Sequence, residues 1–283
     1  MKLPMLRSMS NVALATIVCT YIFTFLAALS LALHGFVRLH LLRTRFKLED
    51  FLTFIAFMIS LALVGQITWA VIDEGQGQHM STVTRDQFEL IAKSLLASEA
   101  LWALVNTFIR LTALFLLRDI FAPSRVAYGS MILIAVSIIH GSAALLTSVL
   151  ICRPIRASWD DQVQGTCGDQ IAAFVSLEVI GLLIDIAILA LPLQPTLSIN
   201  QMTLKRKLSV LFILSAGAVV IIITGLRIAA LHRINTSDFS YDQGYLGLLS
   251  TLGALLGIMT CCTVSVTHLI RHLRGKSKES LEI

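Results

Sequence analysis

The chain has 283 residues, 56% of them hydrophobic and 14% charged, with a formal net charge of +5. A soluble domain carries about 25% charged residues, and a single core of this size cannot hide so much apolar surface. Disorder is excluded too, because disordered segments are poor in apolar residues. The composition describes a polytopic, all-α membrane protein.

A helix that crosses a bilayer needs about 20 apolar residues. Seven stretches qualify, at 12–36, 50–72, 89–117, 127–151, 171–193, 208–231 and 245–270. The third is the most polar, since Lys93, Glu99 and Arg110 fall inside it, but its run LWALVNTFIRLTALFLL is kept as a span. The first follows Lys2 and Arg7 like a signal peptide, yet its apolar run is too long and no small-residue cleavage site follows it, so it reads as a retained helix. The domain organisation is then a short extracytoplasmic N-terminus (1–11), a seven-helix membrane domain (12–270) and a short basic cytoplasmic tail (271–283).

Orientation follows from the short loops. One set of connections carries 13 Lys and Arg, the other 6, and the remaining 3 lie in the spans. Basic residues accumulate on the cytoplasmic side, so the N-terminus is expected outside and the C-terminus in the cytoplasm. The positive charge is thus a topology signal, and no nucleic-acid partner is expected. Cys19, Cys261 and Cys262 fall in spans, whereas Cys152 and Cys167 flank an outer loop, in the compartment where disulfides persist. Asn235-Thr236-Ser237 is a glycosylation sequon in another outer loop, short and close to the membrane. Trp69 and Tyr245 fall at outer helix ends, where amphipathic rings sit.

Some chemistry is missing. A retinal-type chromophore needs an amine for its Schiff base, and 245–270 contains no lysine. No HExxH or GxSxG occurs. His268 and His272 are spaced for a shared metal, but beside Arg271 they read as a basic flank. Neither a cofactor nor a metal is expected.

Ionisable residues inside the spans are the sharpest signal, because charges at this depth are costly and face the bundle interior in pairs. Glu99, Trp102, Asn106 and Arg110 share one face of the third helix, and Glu178 and Asp185 share one face of the fifth. Depth sorts them into two levels. Arg110 and Asp185 lie roughly 10–12 Å from the inner boundary; Glu99, Glu178 and Arg227 lie roughly 6–15 Å from the outer one. Arg110 and Asp185 are expected to form a structural ion pair. Glu99, Trp102, Asn106, Glu178 and Arg227 are candidates for a ligand pocket, with mutual pairing as structural glue the competing reading. Gly253 and Gly257 form a GxxxG that permits close helix approach, expected within the bundle.

The segment CRPIRASWDDQVQGTC after the fourth span resembles the outer-loop signature of the fungal rhodopsin-domain family, seven-helix, receptor-like integral membrane proteins. LEDFL, LWALVNTFIRLTALFLLRDIF, LIDIAILALPL and KRKLSVLFILSAGAVVIIITGLR support the resemblance, which covers roughly residues 20 to 273. It implies seven helices, an outer N-terminus and a Cys152–Cys167 bridge. The cysteine-rich outer domain and long tail of some relatives have no counterpart in this reading, which lessens the surface expected for effectors. The expected function is receptor-like sensing of a small amphipathic molecule at a plasma or internal membrane. The alternatives are a membrane enzyme using Glu99, Glu178 or Asp185 as general acid, and an accessory or transport protein in fungal secondary-metabolite biosynthesis. The expected partners are the lipid bilayer and such a metabolite; the residues name no cytoplasmic partner.

Overall fold

The computed structural model describes residues 10–41, 45–79, 84–120, 125–160, 163–193, 204–233 and 238–279. Seven long helices stand on the seven apolar stretches, as lipid requires of a chain that must satisfy its own backbone polar groups. α1 (Asn11–Phe36) opens at Ser10, whose side chain accepts the Ala13 N–H at 3.1 Å. It does not stop at Phe36 but continues as a π-helical turn, Val37–Leu41. α2 (Leu48–Trp69) continues in the same way through Ala70–Glu74 and ends at Gly75, where φ is +82°. α3 (Arg85–Ile120) is followed by α4 (Arg125–Leu150), α5 (Gln170–Ala190), α6 (Leu204–His232) and α7 (Phe239–Glu279). α7 runs nine residues beyond the expected end of its span, into the expected tail. Six helices are long and apolar enough to cross a membrane; α6 contributes a shorter apolar stretch, Gly217–His232, among its described residues. The sequon at Asn235 lies outside the described residues.

α3 and α7 form the centre. α3 packs on α2, α4, α5 and α7, and α7 on α1, α2, α3 and α6. The central cluster contains Leu63, Ile67, Trp102, Val105 and Ala254. Phe25, Ile139 and Leu183 are exposed on the outer faces, as lipid contact demands. Hydroxyls inside the spans bond back to their own helix; Thr53 donates to Glu49 O and Thr107 to Ala103 O, both at 2.7 Å. The two glycines of α7 face α3. A Cβ at Gly253 would stand 2.8 Å from Trp102 Cη2, and one at Gly257 2.9 Å from Ile109 Cδ1. The GxxxG thus serves packing inside the bundle.

α1 is held mainly by the last helix and scarcely touches α2. Thr16 Oγ1 donates to Gly244 O (3.4 Å), Thr20 and Thr251 share a hydrogen bond (3.1 Å), and His34 Nε2 meets Ser265 Oγ (3.0 Å).

Between α4 and α5 a two-stranded hairpin, β1 (Cys152–Arg153) with β2 (Thr166–Cys167), brings the two cysteines opposite each other. They are joined by a disulfide. A 3-10 turn, Ile155–Ser158, lies inside the closed loop, and Trp159 packs onto the cluster of Leu95, Phe174, Leu231 and Leu246. This hairpin end also holds the start of α1, the end of α2 and the start of α7; the Gly77 N–H bonds Ser240 O (2.8 Å), and Ser10 Oγ donates to Gly77 O.

Candidate functional site

Arg227 of α6 is fully buried and reaches side chains of three other helices. Nη2 pairs with Glu99 of α3 and Nη1 with Glu178 of α5, each at 2.5 Å, while Nε donates to Ser250 Oγ of α7 at 2.8 Å. The guanidinium carbon lies 4.6 Å from the Trp102 ring centroid, and Trp102 Nε1 donates to Glu178 at 2.8 Å. One arginine therefore joins four helices by charge, hydrogen bonds and a cation–π contact. The two carboxylates and the one guanidinium give the hub a formal charge of −1. Asn106 sits a turn below and donates to Trp102 O at 2.9 Å.

Deeper in the bundle, Arg110 grips Asp185 with two parallel bonds, Nε to Oδ1 at 2.7 Å and Nη2 to Oδ2 at 3.0 Å. Gly181 makes this possible, because a Cβ there would stand 2.8 Å from Arg110 Nη2. The third partner is His140 of α4. Its Nε2 meets Leu177 O at 2.9 Å and its Nδ1 meets Arg110 Nη1 at 3.2 Å. A carbonyl can only accept, so the hydrogen is on Nε2 and Nδ1 accepts from arginine.

The sequence therefore placed both levels, but three features depart from it. Lys93 is not part of the buried set; it pairs with Glu89 at 2.6 Å, half exposed, and lies 5.5 Å from the Trp159 ring centroid. It sits at the helix end, where the long stem reaches water. His140 was missed because a lone histidine in an apolar run gives no spacing signal. Arg38 was counted among loop charges, yet the π turn carries it into the bundle, where it pairs with Asp50 and Glu49 while His34 Nε2 lies 3.3 Å from Asp50.

Glu99, Trp102, Glu178 and Arg227 converge as expected, and they bind one another. The space beside them, between the two ion-pair levels, is only about 20 Å³, room for one water. A larger cavity of about 240 Å³ lies one helical turn toward the hairpin, among α3, α5, α6 and α7. Its floor is Leu95, Phe174 and Leu231, each one turn from Glu99, Glu178 and Arg227 respectively, and Trp159 of the bridged loop forms part of its wall. A further apolar cavity of about 140 Å³ lies on the other side of Arg110 and Asp185, reaching Pro192 and Thr260.

Among known proteins, the family model described as the fungal rhodopsin domain matches residues 35–272. A SAT4 family membrane protein of Emericella nidulans is 26% identical over 219 residues, which is 76% of this chain and 55% of the relative. The chain thus spans about half the length of that curated relative. No solved structure matches.

Proposed function

Because the chain belongs to the fungal rhodopsin domain family, we propose that it is a receptor-like membrane protein that takes a small amphipathic molecule into the cavity beneath the bridged loop. One observation carries this reading. Between that cavity and the Arg227 hub lie Leu95, Phe174 and Leu231, each one turn from Glu99, Glu178 and Arg227 on the same three helices, packed with Leu246 of α7. A molecule pressing on this floor moves α3, α5 and α6 relative to one another, and the hub ties that movement to Ser250 of α7. α3 and α5 then pass it to Arg110 and Asp185, toward the opposite end. Ligand pockets of this kind are mostly apolar with few polar groups. The enzyme reading draws less support, since a general acid needs a carboxyl group kept clear of cations. Glu99 and Glu178 both touch Arg227, and Asp185 is held by Arg110.

The test is thermal unfolding of the full chain in nanodiscs against fractionated lipophilic extracts of its host cells. At least one fraction should raise the unfolding temperature, and Ala92→Trp, which narrows the cavity without touching the hub, should remove that rise. No active fraction, or a rise unchanged in Ala92→Trp, overturns the reading.

A further inference from the structure

Glu74 stands apart from the other carboxylates inside the bundle. Glu49 and Asp50 pair with Arg38, Glu99 and Glu178 with Arg227, and Asp185 with Arg110. Glu74 is 5% exposed, and among the described residues its polar neighbours are Ser94 and the like-charged Asp73, with no basic group. Its Oε2 is buried and accepts no hydrogen bond there. A buried, unpaired carboxylate is costly in a setting where ionised groups are otherwise paired or bound to metal.

Its surroundings repeat the same deficit. Gln66, two turns earlier on α2, sends its Nε2 to Ser94 Oγ and Ser94 O, and the Ser94 side chain also hydrogen-bonds the Glu74 carboxyl group, leaving its Oε2 unsatisfied. Gln76 Nε2 donates to Gln243 O at 2.8 Å, and Gln243 Nε2 donates to Ile91 O at 3.2 Å. Ile91 and Ser94 belong to one turn of α3, which Gln66, Glu74 and Gln243 reach directly, while Gln76 joins them through the Gln243 carbonyl. The oxygens that the amides face fix which amide atom is nitrogen, since a flipped amide would set oxygen against a carbonyl. What remains is Oε1 of Gln66, Gln76 and Gln243, each buried and without a hydrogen-bond donor among the described residues. Gln76 and Gln243 are 2% and 1% exposed. Gln76 is turned inward because Gly75 and Gly77, at φ +82° and +88°, fold the chain back after Glu74.

Four acceptor oxygens, one of them on a carboxyl group, thus lack a donor among the described residues where α2, α3 and α7 meet. A proton on Glu74 would supply one of them, and a single water two. A hard cation takes several oxygen ligands at once and also compensates the charge. We propose that Glu74, with Gln66, Gln76 and Gln243, binds a small monovalent cation of the sodium type where α2, α3 and α7 meet at the hairpin end. One carboxylate matches one positive charge, and amide oxygens are suitable neutral ligands. The bound ion would pin α2 and α7 to α3 through contacts that no apolar packing replaces.

The experiment is thermal unfolding of the full chain in nanodiscs, in sodium chloride, potassium chloride and choline chloride at equal ionic strength. Sodium should raise the unfolding temperature in a saturable way over choline. Glu74→Gln should lose that dependence while unfolding in choline as the parent does. Gln243→Leu, which keeps the carboxylate, should weaken the apparent sodium affinity, and it provides a reading if Glu74→Gln does not fold. Equal unfolding temperatures in all three salts would overturn the proposal, leaving the site to water or a proton. So would a sodium dependence that survives in either variant at parental affinity.

Discussion

Asp185 illustrates how much a single side chain carries when its partner cannot reach water. Removing it leaves Arg110 buried without its carboxylate partner, and breaking such a pair costs about 3–5 kcal/mol. Asp185→Ala should therefore express poorly, and adding Arg110→Leu should restore part of the yield, read as monodisperse protein after solubilisation. A double variant worse than the single one would show that the residues do not share a site. Both partners were legible in the sequence because charges in an apolar span have to meet at equal depth. The meeting of Glu99, Glu178 and Arg227 was legible for the same reason, whereas Ser250 was not, because a serine in an apolar span gives no such signal. Invisible was how completely those groups satisfy one another, since packing around Trp102 decides whether space remains. His140, Glu74 and Arg38 were hidden by context: an isolated histidine, and charges that fall beyond the ends of the hydropathic spans.

Elements were easier to read than their ends. Hydropathy located all seven helices, and the slow rise of 1.5 Å per residue makes their existence insensitive to a few residues of error. The π-helical continuations of α1 and α2, and the extension of α7 to Glu279, left no mark in hydropathy because polar residues stay helical there. The close approach of α3 and α7 was legible in the GxxxG, and it can be tested. Gly253→Ala should lower stability by about 1–3 kcal/mol through the clash with Trp102. Gly225→Ala, whose added Cβ meets nothing within 4 Å, should be neutral in the same thermal unfolding assay. The hairpin between α4 and α5 depends on its bridge. Closing a 15-residue loop is worth about 3 kcal/mol in the chain-entropy model. Replacing Cys152 and Cys167 by serine should speed amide exchange across 153–166 while leaving α4 and α5 protected. Unchanged exchange would mean that Trp159 packing alone holds the loop.

At the scale of the whole molecule, the distribution of basic residues predicts the hairpin end outside. A tag placed at the N-terminus or in the Cys152–Cys167 loop should be reached by reagents in intact cells, and a tag at the C-terminus should not. Labelling of the C-terminal tag from outside would reverse the assignment. The pairing of α1 with α7 has a consequence for biogenesis. A chain made from its N-terminus inserts α1 first, yet Thr16, Thr20 and His34 find their α7 partners only when the final helix emerges. Until then α1 waits in lipid with little hold on α2, a natural stage for quality-control factors to inspect the unfinished bundle. A chain stopped after Arg233 should be degraded quickly, and co-synthesis of residues 238–283 as a separate piece should lengthen its lifetime in a pulse-chase. The last helix would then act as the latch that releases the newborn protein from surveillance.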